Sequence, residues 1–239
     1  MEIAMEIDFA CFIDSFKNGI IYIPNTLGLV LIPLASGLII GTFLAYIRFK
    51  KVKIASQIIA GFVTIYRGVP VVVALLIYNM IFLLCYGSWQ KFFHWKTSIQ
   101  DINILWIAVF ALSLGQICGM EEVMRSSLLS IDKGQWEAGK SIGMKEYQLV
   151  FHVIIPQLIP AALPHLTNLI LGCIKNSSVV VAIGVVDIMV GCTKPAETTY
   201  MFFEAYLAAA VIYWIINIFV EFALRRYENY SKKFRREIV

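Results

Sequence analysis

Long apolar stretches separated by short polar connections run along the whole chain. Spanning a bilayer's hydrocarbon takes about 20 apolar residues in a helix, and five stretches meet that length: 19–47, 69–87, 102–120, 161–190 and 199–224. Between the third and fourth lies the longest polar island, Glu121 to Pro160, with nine charged side chains. Ser130 to Glu137 reads as a capped helix start, and Gly143 and Pro156 divide the remainder of the island into two short helices joined at the glycine. The pattern predicts a knob on the membrane surface that another protein could grip. After the first span, Ile54 to Tyr66 is apolar but ends at Arg67-Gly68-Val69-Pro70. The segment from Ile54 to Cys85 is too long for one upright helix and too short for two spans. It predicts a surface or partly buried helix, a break, and then the second span. The chain thus divides into an extracytoplasmic N-terminal segment (1–18), a transmembrane region (19–224) containing the cytoplasmic loop 121–160, and a basic cytoplasmic tail (225–239).

Composition fits this all-α, polytopic class. Hydrophobic residues make up 59% of the 239 residues and charged ones 15%, with a mean hydropathy of +0.77, more apolar surface than a soluble core of this size could hide. The net charge of +4 is explained by its placement, which argues against a nucleic-acid partner. Fourteen Lys and Arg fall in connections on one side of the five spans and four (Lys17, Lys91, Lys96, Lys194) on the other. The side rich in Lys and Arg is cytoplasmic, which puts the N-terminus outside and the C-terminus inside. The tail's six basic residues read as a contact with anionic lipid. The acidic N-terminus, MEIAMEIDFACFIDSFKN, lacks the positive region of a secretion signal.

Few residues suggest chemistry on the chain itself. Cys11, Cys85, Cys118, Cys173 and Cys192 show no metal-ligand spacing, and His94, His152 and His165 are isolated, so no metal site is expected. Gly134-Gln135-Trp136-Glu137-Ala138-Gly139-Lys140-Ser141 satisfies G-x-x-x-x-G-K-[ST]. A phosphate-binding loop of that pattern needs a strand before it and a helix N-terminus after it, and nothing here alternates strand with helix. Gly37 and Gly41 form a GxxxG pair in the first span, which favours close helix packing, within one chain or across a dimer. Lys175, followed by Asn176, Ser177 and Ser178, falls in the fourth span, where a charge costs a few kcal/mol and must face protein or a water-filled cavity. It either pins helices together or lines a path for a charged substrate. Glu204 and Glu221 read as interfacial, and Asp187 as a group that pairs across the outer part of an assembly.

The polar island also carries a family resemblance. Glu137-Ala138-Gly139, three residues, Gly143, nine residues and Val153-Ile154-Ile155-Pro156 resembles the EAA loop of ABC-transporter permeases, with Gly139, Val153 and Ile155 as departures. Glu122-Val123-Met124-Arg125 and Ser130-Ile131-Asp132-Lys133-Gly134-Gln135-Trp136-Glu137-Ala138 are similar to polar amino acid permeases. So are Ile65 to Pro70, Ile155-Pro156-Gln157, Leu163-Pro164, Asn168 and Lys175 to Ser178. The run through Ser141-Ile142-Gly143-Met144 most resembles L-cystine permeases. Gly119 and Val179 depart from the subfamily, where Tyr and Leu are usual. Together these matches cover most of residues 19–230.

The resemblance implies an ABC importer type I permease-like fold and no catalysis on this chain. It implies that Asp132, Lys133, Gly134, Gln135, Glu137, Ala138, Gly139 and Gly143 belong to a coupling helix seated on separate ABC ATPase subunits, which would carry ATP and magnesium. It further implies a second permease subunit, identical or a sister chain, and an extracytoplasmic amino-acid-binding protein. Arg67, Gln116, Glu122, Asn168, Lys175, Asn176, Ser177 and Ser178 are the candidates to line the substrate pathway; Arg67 also reads as an interfacial anchor. Two other functions are weighed against this. A stand-alone secondary transporter or channel lacks an inverted repeat and a midplane acidic site, and a membrane-anchored NTPase lacks room for a nucleotide-binding sheet.

Overall fold

The structure, a computed structural model, describes the backbone of residues 7–94 and 96–238 and the side chains of those up to 230. Residues 1–6 of the expected N-terminal segment, and the side chains of four of the tail's basic residues, lie outside that description. The described residues are helical: α1 (Phe9–Ile21), α2 (Ile23–Phe49), α3 (Lys53–Arg67), α4 (Val71–Phe93), α5 (Leu105–Leu129), α6 (Lys133–Ser141), α7 (Glu146–Ile183), α8 (Ile188–Thr193) and α9 (Phe202–Ile238), with single turns at Ile99–Asp101 and Ala196–Thr199. Five of these, α2, α4, α5, α7 and α9, are long and apolar enough to cross a membrane.

The ends of the helices differ from the sequence reading. The expected N-terminal segment holds most of a separate helix, α1, capped by Asp8, whose carboxylate accepts the amides of Ala10 and Cys11 at 2.8 and 3.1 Å. α5 runs on to Leu129, well inside the polar island, because its charged residues Glu121, Glu122 and Arg125 pair with one another and with Arg48 and Arg67 instead of facing water. Pro156 ends nothing. α7 continues through it and through Pro160 and Pro164. The turn just before Pro156, Val150–Ile154, is π-helical, and such local adjustments accommodate a residue that cannot donate a backbone hydrogen bond. α7 stops at Gly184, whose φ of +81° suits glycine, six residues short of the expected end. The helix and the break before the second span stand where the residue types put them: α3 ends at Arg67, and Gly68 to Pro70 separates it from α4.

Two compact units make up the chain. The first comprises residues 1–33, 69–113 and 173–218. One of its clusters buries Leu29, Leu75, Ala108, Leu112 and Val180; another packs Ile188, Cys192, Ala208 and Ile212 with Phe12 and Phe16 of α1. Asp187 is fully buried there. It accepts the Tyr213 hydroxyl at 2.6 Å and the Val190 amide at 3.2 Å, capping α8. Burial pushes its carboxyl above the ordinary carboxylate range, against the lowering effect of the Tyr213 and Val190 hydrogen bonds. Its partner is therefore in the chain, not across an assembly. Glu204, at the start of α9, is likewise buried, accepting the Asp8 amide at 3.3 Å.

The second unit comprises residues 34–68, 114–172 and 219–239. Its core gathers Ala45, Met120, Met124, Leu149, Ile154 and Leu158. Gly37 and Gly41 form a π turn in α2 that lies directly on α5. A Cβ on Gly37 would fall 2.9 Å from the Gln116 carbonyl oxygen, and one on Gly41 2.7 Å from that of Ile117. The GxxxG pair thus packs within one chain.

Candidate functional site: a short exposed helix and a buried charge cluster

α6 is nine residues long, too short to be stable alone, so its position depends on caps and anchors. At its start the Asp132 carboxylate accepts the Gly134 amide at 2.6 Å. At its end, Gly143 in the left-handed region (φ +81°) lets its amide reach the Lys140 carbonyl at 3.0 Å and the Met144 amide reach Gly139 at 3.1 Å. This crossed pair satisfies the last carbonyls. Two residues fasten the helix to the unit. Trp136 packs on Phe49, ring centroids 5.3 Å apart, beneath the Lys50 ammonium at 5.2 Å. Gly139 is buried against Leu149, whose Cδ1 would be 2.3 Å from a Cβ at that position. The one departure from E-A-A is the position with no room for a methyl group.

The opposite face is free. Asp132, Lys133, Gly134, Gln135, Glu137, Ala138, Lys140 and Ser141 are exposed, though Gln135 also takes a hydrogen bond from Gln157 at 3.2 Å. The G-x-x-x-x-G-K-[ST] match lies wholly inside this helix, and no strand occurs among the described residues. Its amides are spent on the helix, so it forms no phosphate cradle.

Connecting α7 to the end of α2 is a second polar group: Glu146 accepts the Tyr46 hydroxyl at 2.5 Å and pairs with Lys50. Deeper in this unit the Arg48 guanidinium lies 2.8 Å from Glu121, which has no exposed side-chain surface. Glu122 meets Arg125 at 2.7 Å, with Arg48 and Arg67 at 3.7 and 3.8 Å.

The pathway candidates fall into two sets. Arg67 and Glu122 come together, and Gln116 is buried on the same helix as Glu122, its side-chain oxygen without a hydrogen-bond partner among the described residues. Asn168 is exposed on α7. In the first unit, Lys175 and Asn176 are exposed, so the chain does not itself bury the Lys175 charge. Ser177 is buried with its hydroxyl on the Ile174 carbonyl, and the Ser178 hydroxyl donates to that of Lys175, both at 2.8 Å. Sequence reasoning missed Arg48 and Glu121. The Glu121-Glu122 doublet was visible, but which of the two is buried depends on α2 crossing α5 at Gly41.

Five helices long and apolar enough to cross a membrane, with a short capped helix between two of them, define a polytopic membrane protein. Residues 37–230 match the family of binding-protein-dependent transport system inner membrane components, and the chain belongs to that family. It is thus a transport subunit rather than an enzyme. It is 32% identical to the probable amino-acid permease protein YxeN of Bacillus subtilis, over 89% of this chain and 90% of that one. It is 29% identical to the L-cystine transport system permease protein TcyL of the same organism, over 91% and 89%. The crystal structure of an amino acid ABC transporter with histidines superposes with a TM-score of 0.76 at 27% identity, over 94% of this chain and 99% of that one.

Proposed function

We propose that this chain is the permease subunit of an ATP-driven importer that carries polar amino acids across the cytoplasmic membrane by alternating access. The observation that carries the reading is α6: a helix capped at both ends, fastened by Trp136 and Gly139, with the side chains of its Asp132–Ser141 stretch otherwise offered outward. Such a projection supports contact with a separate ATPase. In this reading the ATPase subunits hold ATP and magnesium, and their differential affinity for two positions of α6 biases the pathway. A second permease copy or sister chain completes the pathway, and an extracytoplasmic binding protein delivers the amino acid. The excess of Lys and Arg in one set of connections supports an outside N-terminus and an inside C-terminus. Arg67, Gln116, Glu122, Asn168 and Lys175 to Ser178 remain the residues to test in the pathway. Among substrates, cystine is the first to try, given the resemblance around Ser130 to Met144 and the identity with TcyL.

The test is copurification with ATPase subunits, comparing the native chain with Glu137→Lys. Retained expression with loss of the ATPase places the contact on α6. Undiminished association of the variant removes the observation on which the reading rests.

A further inference from the structure

The second unit has an open apolar groove of about 640 Å³, within the size range of small-ligand sites. Five of its fourteen lining residues come from two π turns. Leu38 and Ile39 belong to the one in α2, and Val150, Phe151 and Ile154 to the one in α7. A π turn shifts the side chains of a helix out of their ordinary rows, and such turns recur at functional sites. The groove is not a uniformly greasy flank. Along much of its length it is apolar, whereas Tyr46, Trp136, Glu146 and Tyr147 also line it, with Lys50 on Glu146 and over the Tyr46 and Trp136 rings.

That group has the composition of a membrane–water boundary, aromatic rings beside lysine. Lys50 sits on the single carboxylate of the lining, Glu146, and the chain continues from it through two more exposed lysines, Lys51 and Lys53. Since the ammonium of Lys50 has three donors, its pair with Glu146 leaves capacity for another acceptor. An apolar slot on membrane-spanning helices, with aromatics and lysines beside it, matches one kind of molecule in both shape and charge.

We propose that the groove is a binding site for an anionic phospholipid, with one acyl chain between the π turns of α2 and α7 and the phosphate against Lys50 and its neighbours Lys51 and Lys53. The inference needs only that the chain is embedded in a membrane, and it stands whether or not α6 contacts an ATPase. Because Trp136 both walls the groove and anchors α6, the lipid would touch the fastening of the exposed helix.

The experiment uses the full chain with the subunits that copurify, reconstituted in phosphatidylcholine vesicles containing phosphatidylglycerol with a photoreactive acyl chain. Cross-links concentrated on residues 38–43 and 150–155 are expected, with severalfold less labelling in Val150→Trp, which fills the slot. Lys51→Glu with Lys53→Glu changes only exposed positions, and should abolish the preference for phosphatidylglycerol over a phosphatidylcholine probe. Labelling spread evenly over all spans, labelling unchanged by both variants, or cross-links from Phe151 to a second permease chain in place of lipid would each overturn the proposal.

Discussion

The Arg48 guanidinium lies 2.8 Å from Glu121, a carboxylate with no exposed side-chain surface. It joins the end of one membrane-spanning helix to the middle of another, at the level where Gly41 brings the two backbones together. Breaking one side of a buried pair strands the other charge, at about 3–5 kcal/mol, whereas replacing both with apolar residues is often neutral. Arg48→Met and Glu121→Leu should therefore each lower the thermal stability of the purified protein sharply, and the double variant should be more stable than either. Additive losses, with the double variant losing the sum of the two single ones in thermal unfolding in detergent, would show that the pair contributes nothing specific.

Gly139 and Leu149 form a lock of a different kind. Gly139→Ala overfills a packed site, with an expected cost of about 1–3 kcal/mol. Leu149→Ala leaves a cavity, at about 2–5 kcal/mol. In the Leu149→Ala background the added methyl has room, so the cost of Gly139→Ala should shrink or reverse, a coupling that a double-mutant cycle reads directly. Additive costs would mean that α6 moves freely over Leu149.

Tyr213→Phe removes the hydroxyl that Asp187 accepts at 2.6 Å and leaves a buried acceptor without that donor, at about 1–3 kcal/mol. The effect should be local. Amides of α8, whose first turn Asp187 caps, should exchange with deuterium faster in the variant, while those of α6 should be unchanged. Unaltered exchange across Ile188–Thr193 would place the restraint on this segment elsewhere.

Lys140→Ala separates the helix from the phosphate-loop pattern it imitates. The side chain is exposed in the last turn of α6, and removing it should shift stability by no more than about 0.5 kcal/mol. Titration of the isolated chain with a fluorescent ATP analogue should show no difference between native protein and variant. Saturable binding lost with Lys140 would instead restore the nucleotide reading.

Much of this architecture was legible because a membrane imposes a simple rule: about 20 apolar residues make a span. Val71 onward and Phe202 onward follow it closely, and the Gly68-Val69-Pro70 break stands where its residue types put it. The errors arose where tertiary contacts changed what a residue meant. Pro156 was a stop signal until a π turn beside it relieved the backbone. Glu121 lies in the polar island of the sequence, yet it is buried, paired with Arg48 of α2. Gly119, unusual for the resembling subfamily, has Leu169 Cδ1 2.6 Å from where a Cβ would lie; the space a larger residue needs is occupied, which no single position could reveal. The exposed helix was recognised by motif, but the anchoring roles of Trp136 and Gly139 required the structure.

The contact between Gly139 and Leu149 also bears on how such chains diverge. Ten residues apart, the two positions share a single space, so a lineage that gains a methyl group at the first must turn the second side chain, lose volume there or reseat the exposed helix. They should be inherited as a pair. In an alignment of relatives, chains reading E-A-A here should carry a smaller or differently shaped residue at the position of Leu149, and those reading E-A-G should keep leucine.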